Sequence, residues 1–210
     1  MTAAPDNQPT LRATVVIPTR NRERLLRECV EALAAQSIPL DSFEVIVCDN
    51  LSDDNTEQMI ADVRAKTGLD IRHHRMDENR GPARARNTGV RMARGEVIAF
   101  TDSDCRPHAD WLKNGLEPFE SDPEVAMVSG AVRFKPEQPV RFFSRAAGEI
   151  TDKEHPTYPT ANMFYRRKVF LDMNCFNETL CYRDNFTQAV ESADTDLAWS
   201  VIKSGRKTVI

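Results

Sequence analysis

The sequence predicts an α/β fold with a Rossmann-like, mainly parallel sheet flanked by helices. Short apolar runs alternate with segments in which apolar residues recur at helical spacing, and Gly or Pro residues stand at several of the boundaries. Alternation of this kind builds a mainly parallel sheet with helices on both faces. The length of 210 residues suits one domain with a substantial core.

The first half of the chain carries the regular part of this pattern. An apolar run at residues 13–17 stops at Pro18, and the apolar stripe from Leu25 to Ala34 that follows it has helical spacing. Strands and helices continue in the same order. The further strands are predicted at residues 43–48, around Ile71 and at 96–100, with helices around residues 56–63 and at 82–93 between them.

The second half is less regular. Helical spacing predicts helices, and apolar runs predict strands, but a long segment with several prolines shows no period and is interpreted as a loop. The predicted elements are a helix at 110–119, a strand at 125–132, the loop at 134–159, a short helix at 166–173, a helix around 197–202 and a strand at 207–210.

Composition indicates a globular protein and disfavours several classes of partner. Apolar residues make up 40% and charged residues 29%, and the formal charge of -4 argues against nucleic-acid binding. No apolar run is long enough to span a membrane. Five cysteines without a CxxC pair fit a reducing cytoplasm. We interpret residues 1–11 as a loose tail and 12–210 as the catalytic domain, which we expect to lack a C-terminal piece.

Polar residues follow three of the predicted strands. They are residues 19–22 after the first strand, Asp49 and Asn50 after the second, and residues 101–104 after the fourth. Ligands of open α/β sheets bind beyond the carboxyl ends of the strands. The sequence therefore predicts that these clusters converge on one ligand site.

Asp102 and Asp104 are the sharpest chemical signal. They stand at positions i and i+2 directly after a buried strand, on the same side if the backbone stays extended. Hard divalent cations such as Mg²⁺ bind one or two carboxylates and share substrate phosphates. One carboxylate would hold the metal while the other takes a ribose hydroxyl or a metal-bound water. The alternative is a pair of solvated loop acids.

Five arginines near these clusters suit phosphate binding, because a guanidinium matches phosphate oxygens with a fork of donors. Gly81 permits close backbone approach, and the helix beginning near Pro82 directs its positive end toward an anion. Arg80 and Arg84 are the preferred ligand contacts. The full set is Arg20, Arg22, Arg80, Arg84 and Arg86.

Two further carboxylates are candidates for a role in the site. Asp49, at a strand end, would accept the imide N–H of a pyrimidine base, or alternatively form the turn at residues 49–52. Asp194, before the final helix, would accept the proton of an attacking hydroxyl, or alternatively cap that helix. The two roles of Asp194 are compatible, since a cap uses only some of its lone pairs.

Four segments together resemble the inverting family 2 glycosyltransferases with the GT-A fold. They occur in that family's order and are residues 15–22 (VVIPTRNR), 45–54 (VIVCDNLSDD), 79–89 (NRGPARARNTG) and 100–104 (FTDSD). The similarity spans nearly the whole chain. It implies that the irregular second half is the acceptor side.

The resemblance also implies residue roles. Pro18, Thr19, Arg20 and Asp49 would line the nucleotide pocket, with Arg80 and Arg84 nearby. The segment from Asp102 through Ser103 to Asp104 would hold the metal and the diphosphate, with Asp102 at the ribose and metal and Asp104 on Mn²⁺ or Mg²⁺.

The acceptor-side motif departs from the family pattern. Asp194 would be the base, although Ala193 stands where the family usually has Glu. The Gln-x-x-Arg-Trp signature of processive members is absent.

The expected activity is therefore metal-dependent transfer of a sugar, with inversion, from a nucleotide sugar to an acceptor hydroxyl. A UDP-sugar is favoured by resemblance, and the acceptor, a glycan or a lipid-linked molecule, is undetermined. A cytoplasmic location is expected, with membrane association through a missing C-terminal part or a lipid acceptor left open.

Other functions remain as alternatives. One is a non-catalytic domain that binds a sugar nucleotide or a partner. A sugar-1-phosphate nucleotidyltransferase is disfavoured because residues 19–22 contain no Gly. A phosphatase of the haloacid dehalogenase type is disfavoured because Arg106 stands where that family has Thr or Val.

Overall fold

The computed structural model describes residues 11–133, 158–182 and 190–210. Its centre is a seven-stranded sheet with the order β3-β2-β1-β4-β6-β5-β9, and a two-stranded ribbon pairs β7 with β8. The strands are β1 Ala13–Thr19, β2 Phe43–Asp49, β3 Ile71–Arg75, β4 Val97–Phe100, β5 Val125–Ser129, β6 Met163–Arg166, β7 Cys181–Tyr182, β8 Val190–Glu191 and β9 Lys207–Val209. The helices are α1 Glu23–Ala34, α2 Thr56–Thr67, α3 Pro82–Met92, α4 Trp111–Ser121, α5 Arg167–Asp172 and α6 Ala193–Lys203.

The predicted α/β class and the mainly parallel sheet are confirmed. Strands β1 to β4 pair in parallel, as do β5 and β9. Every residue of β1 and β2 is buried, because helices cover both faces of the sheet. Helices α1, α2 and α4 pack on one face, and α3, α5 and α6 pack on the other.

Strand β6 was not predicted, and it makes the sheet mixed. Its four residues lie antiparallel between β4 and β5, with Met163 opposite both Phe100 and Ser129. So short a run carries no readable period. The predicted strand at 125–132 ends early, at Ser129, and the backbone after it belongs to no strand.

Two predictions fall wholly or mostly outside the described residues. Residues 1–10 of the predicted tail and residues 134–157 of the predicted loop are not described. The other predicted helices and strands are present, with ends shifted by a few residues. Cys29 and Cys48 are buried in the hydrophobic core.

Helix α3 approaches the sheet closely at Gly89. A Cβ on Gly89 would lie 2.5 Å from Cγ1 of Val16 and 3.0 Å from Sγ of Cys48. Glycine lets the helix backbone rest directly on β1 and β2. The polar residues that precede Gly89 on α3 are therefore brought down to the carboxyl end of the sheet.

A charged cluster lies where β1 and β2 begin. The fully buried Glu44 accepts hydrogen bonds from Oγ1 of Thr14 at 2.8 Å and from Nε of Arg94 at 2.9 Å, and it pairs with Arg72 at 2.8 Å. Burial raises the pKa of Glu44, but the Arg94 and Thr14 hydrogen bonds and the charge of Arg72 outweigh it and hold that pKa below its ordinary value.

Candidate active site

The loops after β1, β2 and β4 meet at one edge of the sheet, as the sequence predicted. They and the start of α3 surround a pocket of about 630 Å³, here called the strand-end pocket. Its wall is formed by Pro18, Thr19, Arg20, Arg22, Asn50, Asn79, Arg80, Gly81, Pro82, Arg86, Asp102, Ser103 and Asp104. Eight of the residues predicted for the site are in that wall: Pro18, Thr19, Arg20, Arg22, Arg80, Asp102, Ser103 and Asp104.

The loops after β1 and β2 are fastened to each other. Asn21 adopts a positive φ of 50°, and its backbone N–H donates to Oγ of Ser52 at 2.9 Å. Its side-chain oxygen accepts the N–H of Asp53 at 2.7 Å. Asn tolerates this left-handed conformation better than most residues. The cross-link fixes the positions of Arg20 and Arg22 relative to β2.

Asp49 lies behind the pocket wall. It is 1% exposed, its Oδ1 accepts the N–H of Ser52 at 2.8 Å, and its Oδ2 contacts Nε2 of His73 at 3.2 Å. Burial raises the pKa of Asp49, but the His73 and Ser52 contacts outweigh it and hold that pKa below its ordinary value. This geometry is that of the turn-forming alternative, and the predicted base contact stays a prediction.

Asn50, directly after β2, lies in the wall of the strand-end pocket, whereas Asp49 does not. Its Oδ1 and Oγ1 of Thr19 are buried atoms without a hydrogen-bond partner among the described residues. The N–H of Asn50 donates to the carbonyl oxygen of Thr19 at 2.9 Å, so the two residues stand side by side. Buried polar groups without partners are rare in folded proteins, so these two oxygens are candidate contacts for a bound ligand.

The two acids after β4 are each paired with an arginine. Nη2 of Arg86 lies 2.7 Å from Oδ1 of Asp102, and Nη1 of Arg22 lies 2.7 Å from Oδ2 of Asp104. Arg86 is buried on α3, whereas Arg22 stands in the loop before α1.

The residues at the end of β4 fit a divalent cation. Asp102, Asp104 and Cys105 each offer a donor atom, and these atoms lie within 4.8 Å of one another. Burial, together with the charge of Asp102, raises the pKa of Cys105 to about 11. Hard cations prefer oxygen ligands to sulfur. The two carboxylates would hold the cation, and their oxygens suit Mg²⁺ or Mn²⁺.

The arginines preferred by sequence reasoning are less central than Arg86. Nε of Arg80 lies 2.7 Å and Nη2 of Arg84 lies 3.2 Å from Oε1 of Glu78, and Arg84 is not in the pocket wall. The sequence signal that points to Arg86 is its helical spacing from buried residues. Arg86 lies at i+3 from the buried Ala83 and at i−4 from the buried Val90, which places it on the packed face of α3.

Asp194 is the second residue of α6 and lines neither described pocket. Its Oδ1 accepts the N–H of Thr195 at 2.8 Å, and the carboxylate also accepts the N–H of Thr160. Burial raises the pKa of Asp194, while these bonds and the charge of Arg86 lower it in part. A carboxyl group with a raised pKa is a stronger base than an ordinary one. Its catalytic role stays a prediction.

A second pocket of about 960 Å³ adjoins the first across Asp102 and Asp104, which line both. Helix α4 contributes Trp111 to its wall, and the backbone after β5 contributes Gly130. Nε1 of Trp111 donates to Oδ1 of Asn162 at 2.8 Å. The acids of the candidate cation site thus form a ridge between two spaces.

Comparisons with known proteins identify the family of the chain and its fold. The sequence profile of glycosyl transferase family 2 matches residues 14–179. The glycosyltransferase AglE of Haloferax volcanii is 32% identical over 171 residues, covering 78% of this chain and 55% of the relative. The pre-mycofactocin glycosyltransferase of Mycobacterium tuberculosis is 30% identical over 216 residues, covering 97% and 42%. The chain spans about half the length of these relatives.

Solved structures share the fold. The mannosyltransferase PcManGT of Pyrobaculum calidifontis, in complex with GDP-Man and Mn²⁺, superposes with a TM-score of 0.75 at 26% identity, covering 98% of this chain and 56% of that one. TarS 1-349 of S. aureus in complex with UDP superposes with a TM-score of 0.71 at 24% identity, covering 89% and 54%.

Fold and site together define a glycosyltransferase domain of the GT-A type. The chain belongs to glycosyl transferase family 2, whose profile matches most of its length. None of the helices in the described ranges has the length and apolar character that crossing a bilayer requires.

Proposed function

We propose that this chain transfers a sugar from a nucleotide-sugar donor to an acceptor hydroxyl, with inversion and with help from a divalent cation. One observation carries the proposal: Asp102 and Asp104 lie in the wall of a pocket that the loops after β1, β2 and β4 form together. A divalent cation held there would face the diphosphate of a donor bound in the same pocket.

Several protein groups in the strand-end pocket would bind the diphosphate. Arg20, Arg22 and Arg80 line the strand-end pocket, and α3 begins beside it at Pro82. Gly81 has a φ of 86°, a conformation that favours glycine, and it brings the backbone into the wall without a side chain. Guanidinium groups and a helix amino terminus both stabilise anions.

The cation would be held by Asp104, with Asp102 beside it or on the ribose. When bound, Mn²⁺ or Mg²⁺ supplies positive charge that stabilises the departing nucleoside diphosphate. Arg86 holds Oδ1 of Asp102, which leaves the other oxygen of that carboxylate for a cation or a hydroxyl.

The transfer itself is a single displacement. The acceptor oxygen forms a bond to the anomeric carbon, the bond from that carbon to the diphosphate oxygen breaks, and its electron pair leaves with the diphosphate. Asp194 accepts the acceptor's proton, and its raised pKa supports this role. Attack from the face opposite the leaving group inverts the anomeric carbon.

A UDP-sugar is the proposed donor. The unpartnered Oδ1 of Asn50 is an acceptor for a base N–H, and the hydroxyl of Thr19 can donate to a base carbonyl. Asp49 would contact the base directly or fix the turn that presents Asn50. One solved relative is in complex with GDP-Man and another with UDP, so a GDP-sugar is the competing donor.

The acceptor would approach from the second pocket, which shares Asp102 and Asp104 with the first. A glycan or a lipid-linked molecule is the proposed class. We propose a cytoplasmic site of action, with membrane association if the acceptor carries a lipid.

A non-catalytic nucleotide-binding domain is the second candidate. The carboxylate of Asp194 accepts backbone N–H groups at the start of α6, which is what a cap alone would do. Ala193, in place of the Glu usual in the family, removes a second acid from the same motif.

Calorimetry on the full-length protein with UDP, GDP and dTDP, each with Mn²⁺, separates donors, and hydrolysis of the matching nucleotide sugar reports turnover. Asp104→Asn should lower turnover by roughly 100-fold, because the cation loses a charged ligand. Asp53→Asn, an exposed acid outside the pocket wall, is the matched control and should retain activity. Full activity of Asp104→Asn would exclude this arrangement, and binding without turnover would favour the second candidate.

A further inference from the structure

The two acids of the candidate cation site are held by arginines in very different settings. The side chains of Arg86 and Asp102 are 7% and 32% exposed, whereas those of Arg22 and Asp104 are 47% and 44% exposed. Arg86 is also anchored in a packed helix, while Arg22 immediately precedes α1 and contacts Asp104 in the loop after β4. One pair is therefore partly buried, and the other is open to solvent.

This difference decides which pair is exchangeable. Arg86 itself is buried, so losing Asp102 would leave its charge with little access to water, and the Arg86–Asp102 contact is costly to lose. A solvent-exposed pair contributes little, because water replaces each partner. The Arg22–Asp104 contact can therefore be exchanged for another partner at low cost.

Both members of the exposed pair have a second partner in the proposed reaction. Oδ2 of Asp104, which Arg22 contacts at 2.7 Å, is one of the oxygens that a cation would need. Arg22 itself lines the strand-end pocket, where its guanidinium would meet the diphosphate. While the pair is intact, a cation has only the other oxygen of Asp104, and a phosphate has only the remaining N–H groups of Arg22.

We propose that Arg22 exchanges partners during donor binding: it pairs with Asp104 in the absence of cation and with the diphosphate once the cation holds Asp104. The proposal rests on the proposed function. If the cation binds alone, Arg22 loses its partner, and if the nucleotide binds alone, Asp104 loses its partner. When both bind, the free energy of breaking the Arg22–Asp104 contact is spent only once, so each ligand strengthens binding of the other.

The test is a thermodynamic cycle of Mn²⁺ and UDP binding on wild type, Arg22→Ala and Arg22→Lys. Free Mn²⁺ is measured by electron paramagnetic resonance, and UDP binding by calorimetry. Arg22→Ala should bind Mn²⁺ alone about 2- to 5-fold more tightly, because its competitor is gone. It should bind UDP at saturating Mn²⁺ roughly 10-fold more weakly, because a charged contact to phosphate is lost.

The cooperativity factor between the two ligands should fall in Arg22→Ala and partly recover in Arg22→Lys, which keeps the charge without the fork. Arg20→Ala is the matched control. Arg20 lines the same pocket, but no ion pair to Asp104 is seen in the described residues. This variant should lower UDP affinity without raising Mn²⁺ affinity by more than about 1.5-fold.

Two results would overturn the exchange. One is an Arg22→Ala protein whose Mn²⁺ affinity and cooperativity equal those of wild type, while wild type still binds UDP and turns over donor. The other is an equal rise in Mn²⁺ affinity in Arg20→Ala, which would reflect net charge alone. If wild type binds no nucleoside diphosphate with any cation, the proposed function fails, and the exchange fails with it.

Discussion

Arg86 on α3 donates to Oδ1 of Asp102 at 2.7 Å. Burial raises the pKa of Asp194, and the positive charge of Arg86 offsets part of that rise. One buried guanidinium thus acts on an acid of the candidate cation site and on the candidate base. These two acids come from the loop after β4 and from α6, which are far apart in sequence. Arg86 therefore links two parts of the proposed site.

Replacing Arg86 should therefore impair turnover more than donor binding. Arg86→Met should lower kcat by about 10- to 100-fold, because Asp102 loses its orienting bond. Steady-state kinetics with the matching nucleotide sugar measures this. Arg91→Met, which removes an exposed arginine from the same helix, is the control and should behave as wild type. Equal kinetics for the two variants would contradict the assignment.

The pH dependence of kcat/KM should report Asp194. The base must be ionised to accept a proton, and burial raises its pKa, so activity should fall on the acid side at a higher pH than an ordinary aspartate would give. Asp194→Asn should lose most activity and with it this acid limb. If Asp194→Asn keeps both its turnover and the fall in activity at acid pH, Asp194 is not the base and only forms hydrogen bonds at the start of α6.

Glu44 should make the fold sensitive to acid. Its pKa is held below the ordinary value, so its contribution is present above the unfolded-state pKa and is lost as pH falls through the folded-state pKa. Glu44→Gln should lower the free energy of unfolding by about 1–3 kcal/mol at neutral pH and reduce this acid sensitivity.

Urea unfolding between pH 3 and pH 7 measures both effects of Glu44→Gln. Glu120→Gln breaks the solvent-exposed pair with Arg12 and is the control, with an expected change of at most about 0.5 kcal/mol. An equal loss of unfolding free energy in the two variants would mean that the buried Glu44 pairs contribute no more to stability than the exposed pair.

Gly89 should matter for binding as well as for stability. Gly89→Ala forces α3 away from Val16 and should cost about 1–3 kcal/mol while displacing Arg86 from Asp102. Gly68→Ala has open space around it but a φ of 74°, so strain alone should cost about 1–2 kcal/mol. Of these two variants, Gly89→Ala should weaken Mn²⁺-dependent UDP binding. An unchanged UDP affinity in Gly89→Ala would show that α3 tolerates the shift.

The first half of the fold was readable from sequence because its signals are local. Strands such as β1 and β2 are continuous apolar runs, and each ends at polar residues that also form the site. Strand β6 was missed because its pairing depends on β4 and β5, which are distant in sequence. Pairing with distant strands leaves no recognisable pattern in a strand of only four residues.

The site, too, was predictable only where its signals are local. The strand before Asp102 and Asp104 predicts their positions. Nearness to Gly81 favours Arg80 and Arg84, whereas the face of α3 that packs on the sheet favours Arg86. Similarly, Asp49 and Asn50 are adjacent in sequence, and only the turn at Ser52 decides which of them enters the pocket wall.

The antiparallel strand β6 has a mechanical consequence. It is hydrogen-bonded to β4 on one side and β5 on the other, so the sheet runs without interruption beneath both pockets. The segment that leads into β6 donates the N–H of Thr160 to Asp194. A motion that separates the two halves of the sheet would break these hydrogen bonds, so we expect the two pockets to keep their relative positions when substrates bind.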